Sequence, residues 1–433
     1  MWTSTTLAVL CGCTLLLTGP GFANGQLVTS FSGTYQGSIL TGDNGQQYNA
    51  FRGIPYAEPP TGDLRFKKTV PKAPFFESVY DATKFGPFCI QGSAWVPIVG
   101  PGQEDCLYLN VYTPTSKPTS GKLRKVFVYI HGGSNTGGNS NTIFPGTLVT
   151  TFDLVVVTLN YRLGVFGFLS TLTPDCLGNF GLWDQIRALE WVRDNIQAFG
   201  GDSQAVTLGG ESAGAFDASV LALSSSVQGL FQRVIVLSKA TGLSATGWND
   251  NPLVAAVKAA RSVGCIKKEE KNPVTEADWR PVVTCLRQLP AQRLANTDTW
   301  NVWPSSVFSA VKDGDLLPYG PYEVFQIKQY LEAKQVLERD YLVSVLQNEG
   351  SLAQDTANGK KEQSGDTSIT TSSMCMKMKA TTEALIGKAK EHQTANLFTD
   401  SVITREKAKK HIDTRRLARG DTKQQTYEDC MIF

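Results

Sequence analysis

The run Gly210-Glu211-Ser212-Ala213-Gly214 is where this chain could do chemistry. It begins one residue after the apolar stretch Ala205-Val206-Thr207-Leu208. Ala215, Phe216, Ala218, Val220 and Leu221 then continue it with helical spacing. A serine on a sharp turn between a strand and a helix holds its hydroxyl out in the open. Glycines two residues to either side let the strand and the helix approach without Cβ clashes. A serine hydroxyl alone is a poor nucleophile. It needs a base to take its proton, a third group to orient that base, and N–H donors for the oxyanion of a tetrahedral intermediate. Ser212 is therefore the candidate nucleophile, and the competing reading is a turn serine without chemistry.

Such a serine must be positioned by a sheet. Lys125–Ile130 (KVFVYI) and Leu154–Leu159 (LVVVTL) are continuous apolar, β-branched runs of the kind that central parallel strands require. Leu182–Ala198 has the apolar spacing of a helix. Arg233–Ser238 (RVIVLS) and Tyr341–Leu346 (YLVSVL) read as further strands. Strands alternating with helices predict an α/β protein, with a mostly parallel central sheet covered by helices on both faces. Residues 355–373 are rich in Gly, Ser, Thr, Lys and Asp and read as a flexible polar insertion. The basic stretch Arg405–Lys410 reads as a solvated helix face.

A chain of 433 residues can bury a large core, and a net charge of +2 points neither to nucleic acid nor to an acidic surface partner. Residues 1–23, with the apolar run Leu7–Leu17 and the small residues Gly21 and Ala23 of Gly21-Phe22-Ala23, read as a signal peptide although the first residues lack a basic side chain. That run is too short to span a bilayer, and no other segment is long and apolar enough, so a secreted protein without a membrane span is expected. Secretion makes the cysteines disulfide candidates. Beyond residue 23 these are Cys89, Cys106, Cys176, Cys265, Cys285, Cys375 and Cys430. The close pairs Cys89/Cys106 and Cys265/Cys285 stand out, and an odd thiol is left over. No pattern with metal-ligand spacing is present, and neither a metal nor a cofactor is expected.

Four further segments accompany the serine turn. They are Phe51-Arg52-Gly53-Ile54-Pro55-Tyr56-Ala57-Glu58-Pro59-Pro60 with Leu64-Arg65-Phe66, then Glu104-Asp105-Cys106-Leu107-Tyr108-Leu109-Asn110, then Asn160–Phe168, then Gly178–Gln185. With Gly210–Gly214 they cover residues 28–240 almost without gaps, and together they resemble the signatures of type-B carboxylesterases and cholinesterase-like proteins. The resemblance implies the α/β-hydrolase fold over residues 24–433, hydrolysis of a small-molecule carboxylic ester through an acyl-enzyme on Ser212, and the two disulfides.

It also implies roles for further residues. The oxyanion donors should be the amides of Ala213 and of Gly133 and Ser134 in His131-Gly132-Gly133-Ser134, where the family usually carries a third glycine in place of Ser134. His131 precedes Ser212 and reads as a loop-packing residue. Glu211 resembles a buried glutamate that tunes the family's pocket. Glu349, in Gln347-Asn348-Glu349-Gly350-Ser351, matches the triad acid, the competing reading being a capping glutamate at a helix start. The base should be a histidine after the acid in a His-Gly context. Only His392 and His411 follow Glu349, and neither stands in that context. Tyr427–Phe433 resembles the strand after which the family's histidine loop begins. On that alignment the catalytic histidine, the last strand and its covering helix are expected to fall outside this sequence. Trp95 lies near where cholinesterases place a cation-stacking tryptophan, or else simply anchors its loop; general acyl esters are the preferred substrate over choline esters. The second reading of the whole chain is a non-catalytic adhesion or binding protein of the same fold, or an inactive truncated form.

Overall fold

Val155, Val156 and Val157 are followed by Thr158 and Leu159, and all five are buried. A run of this kind has no polar face to turn outward, so it is stable only as a central strand covered on both sides. The computed structural model describes residues 26–92, 102–116, 122–238, 248–297, 308–324, 326–333 and 336–344. Their strands, in chain order, are β1 (Leu27–Ser30), β2 (Gly33–Gln36), β3 (Ser38–Thr41), β4 (Gln47–Pro55), β5 (Phe75–Asp81), β6 (Tyr108–Pro114), β7 (Arg124–Ile130), β8 (Val155–Leu159), β9 (Gly201–Glu211), β10 (Arg233–Leu237) and β11 (Asp340–Ser344). The helices that bear on the site are α1 (Gly146–Phe152), α2 (Gly164–Phe168), α3 (Phe180–Asn195), α4 (Ala213–Ala222), α5 (Pro252–Ser262) and α6 (Glu276–Gln288).

Eight strands form one sheet in the order β11-β10-β9-β7-β8-β6-β4-β3. The pairs from β11 through β8 are parallel, and those from β8 through β3 are antiparallel. The parallel part is the sheet expected from the sequence. The antiparallel extension, and the separate sheet β1-β2-β5, were not legible there.

Side chains alternate across the sheet, and this alternation divides the core between its faces. Val155, Val157 and Leu159 of β8, with Val126, Val128 and Ile130 of β7, enter the main cluster together with residues of α3 and α4. Val156 points the other way and packs with Tyr48, Tyr112 and Val149 of α1. Helices therefore cover both faces.

The signature segments build the frame around these layers. Glu104 receives Arg65 through two bonds, of 2.7 and 2.6 Å. The remaining Arg65 nitrogen donates to the carbonyls of Leu286, Arg287 and Leu289 and so satisfies the open carbonyl end of α6. Arg162 and Asp184 form a second buried pair, joined by two bonds of 2.8 Å, and Asp184 also accepts the Arg162 amide. Both expected disulfides are present, Cys89–Cys106 and Cys265–Cys285. Closing loops of 17 and 20 residues contributes on the order of 3 kcal/mol each in the chain-entropy picture. Cys176 is the free, buried thiol among the described residues. Burial pushes its pKa up to about 12, so it is an inert packing group. Cys375 and Cys430 lie outside the described residues, as do the proposed signal peptide and the 355–373 insertion.

Candidate active site

β9 runs farther than its apolar residues suggest, from Gly201 through Glu211, and stops directly at Ser212. Ser212 has φ 54° and ψ −118°, a conformation that costs a residue with a side chain on the order of 1–3 kcal/mol. The next residue starts α4. The turn therefore reverses the chain within one residue and leaves Ser212 only partly covered. Its amide is tied to the Leu237 carbonyl at 2.9 Å, which anchors the turn to β10.

The two glycines follow from this geometry. A Cβ on Gly210 would run into the Gly214 carbonyl group and would stand 2.7 Å from the Ile130 oxygen. A Cβ on Gly214 would run into that same Ile130 carbonyl. Strand, turn and helix thus meet backbone to backbone at the C-terminal end of β7, where any side chain would push them apart.

The loop after β7 lies against the turn. A Cβ on Gly132 would be 2.7 Å from the Glu211 Oε2 and 3.2 Å from the Ser212 Cβ. Gly133, Ser134 and Asn135 then follow with φ of 113°, 57° and 58°. The Gly133 carbonyl accepts from the amides of Thr136 and Gly137, both at 3.0 Å. Neither the Gly133 nor the Ser134 amide donates to a backbone carbonyl among the described residues. The Ala213 amide sits in the first turn of α4, where N–H groups have no partner within the helix. Ser134 keeps a left-handed conformation despite its side chain, so the missing third glycine does not prevent the turn. Glu211, expected to be buried, instead stands exposed at the end of β9. Its carboxylate lies beside Gly132.

His131 has the packing role expected of it. Its ring is fully buried and stacks on Tyr161 at 4.6 Å between centroids. Nδ1 lies 2.8 Å from the Gly132 carbonyl, which can only accept, so Nδ1 carries the proton. Burial lowers the imidazole pKa to about 4, with the Gly132 contact opposing part of that shift. His131 is therefore neutral at pH 7. The unfolded chain binds a proton on this side chain below about pH 6.5, whereas the folded chain does not until about pH 4. Stability should fall as pH drops through that window, by about 3 kcal/mol, and be unaffected by this residue above it. Urea unfolding between pH 7.5 and 4.5 should show a shallower loss in His131→Gln than in the parent, and parallel losses would contradict the assignment.

Two residues that the sequence did not single out complete the surroundings. Asp217 of α4 is fully buried; it accepts from Asn135 Nδ2 at 2.9 Å and from Gln185 Nε2 at 2.6 Å. Asn135 accepts the Tyr161 hydroxyl at 3.0 Å, and the same hydroxyl reaches the His131 carbonyl at 3.0 Å. Burial holds the Tyr161 phenol well above its ordinary pKa, so it remains a donor. The available signal was a lone carboxylate within the apolar run Ala215-Phe216-Asp217-Ala218, which demands buried partners. Glu349, Trp95, His392 and His411 all lie outside the described residues. Among the described residues no cluster of His, Cys, Asp and Glu could hold a metal ion.

A strained serine between a strand and a helix, facing a loop with open amides, is the arrangement of serine hydrolases of the α/β class. The sequence profile of the carboxylesterase family matches residues 24–430, and the chain belongs to that family, with its α/β-hydrolase fold. It is similar to acetylcholinesterase-1 of Trittame loki, with 42% identity over 284 residues, covering 63% of this chain and 50% of that protein. It is also similar to juvenile hormone esterase of Tribolium castaneum, with 39% identity over 337 residues, covering 75% and 55% respectively. Neuroligin-3 of Mus musculus is 35% identical over 339 residues, covering 69% and 39%. The chain thus spans about half the length of the curated relatives it matches.

Proposed function

We propose that this protein is a secreted serine carboxylic ester hydrolase. The observation that carries the reading is the backbone of Ser212, which accepts strain at the one residue where a nucleophile needs it. Ser212 Oγ attacks the ester carbonyl, and the carbonyl oxygen becomes an oxyanion held by the amides of Gly133, Ser134 and Ala213. The alcohol leaves on collapse, and water then hydrolyses the acyl-enzyme. Glu349 orients the imidazole that moves the protons. His131 cannot supply that imidazole, since its ring is buried against Tyr161 and bonded to the Gly132 carbonyl. The base in this reading is a histidine outside the described residues.

Two relatives with esterase in their names support an ester substrate, and general acyl esters remain preferred over choline esters. The signal-like residues 1–23 and the two disulfides support secretion. No helix among the described residues is long and apolar enough to cross a membrane. The test is hydrolysis of a series of p-nitrophenyl acyl esters by the secreted protein. Glu349→Gln should lower kcat by on the order of 10⁴-fold, as expected when the imidazole loses its orienting acid. An unchanged kcat would move the acid to another residue, and no turnover by the parent would favour a binding protein on the same fold.

A further inference from the structure

We propose that Asn135 and Asp217 form a positioning pair that sets the two halves of the oxyanion hole in register; this rests on the esterase reading above. One half, Gly133 and Ser134, lies on a loop with three successive positive φ angles, two of them at Ser134 and Asn135, whose side chains make that conformation costly. The other half, Ala213, begins α4. Asp217 stands four residues after Ala213, one turn along the same rigid helix. The 2.9 Å bond from Asn135 Nδ2 to Asp217 Oδ1 therefore links the loop directly to the helix that carries the third donor.

Both side-chain ends of Asn135 and its carbonyl are engaged. Its side-chain oxygen accepts from Tyr161, its nitrogen donates to Asp217, and its carbonyl accepts the Gly164 amide at 2.6 Å. Both side chains are almost fully buried, at 1% and 0% exposure, so water cannot stand in for a lost partner. Asp217 faces two amide NH₂ donors, Asn135 and Gln185. An acceptor-only carboxylate answers both, which explains why a carboxylate occupies this position.

The chemistry also offers a rescue. Asn135→Asp places a second carboxyl group opposite Asp217. The double variant Asn135→Asp/Asp217→Asn restores one donor–acceptor pair in the reverse direction, while residue 135 still accepts from Tyr161 and residue 217 still accepts from Gln185. The experiment measures kcat and KM of the full-length protein on p-nitrophenyl butyrate. Asn135→Asp should lower kcat by on the order of 10²-fold, the effect of a displaced oxyanion donor, with KM changed by less than about twofold. The double variant should recover most of that loss. Unchanged kcat in Asn135→Asp, a loss confined to KM, or no recovery in the double variant would overturn the pair. If Asn135→Asp does not fold, Asn135→Ala replaces it with the same expectation for kcat and KM. A parent protein without turnover would count against the esterase reading itself. The tie is then decided by amide hydrogen exchange over residues 132–136. Faster exchange in Asn135→Ala, slowed again in the double variant, supports it, and equal exchange in all forms overturns it.

Discussion

Replacing Ser212 with alanine should abolish ester hydrolysis while leaving the fold intact. The expected loss in kcat is on the order of 10⁴- to 10⁶-fold, because a triad without its nucleophile retains only what binding and the oxyanion donors provide. The side chain itself packs little, since Ser212 is partly exposed and its structural bond to Leu237 runs through its amide. The hydroxyl can therefore be removed without a cavity, and thermal unfolding should shift by no more than a degree or two. Alanine keeps the strained φ, so the turn is not relieved either. Turnover within tenfold of the parent on p-nitrophenyl acetate would place the nucleophile elsewhere. A large fall in unfolding temperature would instead make Ser212 a structural residue.

The second large effect should be on stability. Asp184→Ala should destabilise the protein by about 3–5 kcal/mol, the usual cost of leaving one member of a buried ion pair alone. Arg162 and Asp184 are 4% and 0% exposed at their side chains, so water cannot replace the lost carboxylate. The pair also holds three separate segments. Arg162 donates to the Lys67 carbonyl and to the Phe180 carbonyl, and Asp184 accepts from Thr69. A protein of this size is held by only about 5–15 kcal/mol, so the variant should express poorly or unfold at clearly lower urea. Replacing both charges with apolar residues, as in Arg162→Met/Asp184→Leu, should cost less than Asp184→Ala alone, because no charge is left buried and unpaired. Equal or greater loss in the double variant would show that the pair matters through its other hydrogen bonds.

The serine turn was readable from the sequence because its determinants are local. Gly210 and Gly214 are required by contacts within a few residues and with one neighbouring strand end, at Ile130. The parallel strands were readable because Val126–Ile130 and Val155–Leu159 have no polar alternation; the second is buried throughout, and the first is half-covered on its other face at Phe127 and Tyr129. The antiparallel strands β3, β4 and β6 were less visible. β3 and β4 form a local hairpin across residues 42–46 that went unrecognised, whereas β6 pairs with β4 across a long gap of chain, as with Tyr48 opposite Pro114. The ties around the site were hidden for the same reason. Asn135 and Asp217 are 82 residues apart; the apolar run around Asp217 signals that its carboxylate needs buried partners, but nothing local identifies Asn135 as one of them. The family segments were legible as a set. What the structure adds is that Arg65, Glu104, Arg162 and Asp184 within them serve the frame, while the candidate chemistry rests on Ser212 and the amides around it.

The most direct test of that claim is fluorophosphonate labelling of the folded full-length protein, with the modified residue located by peptide mass spectrometry. A fluorophosphonate reacts with a serine only when a base activates the hydroxyl and amide donors receive the phosphoryl oxygen. The account predicts rapid, stoichiometric modification of Ser212 and none in Ser212→Ala. A well-folded protein that stays unlabelled, or one labelled at a different serine, would contradict it.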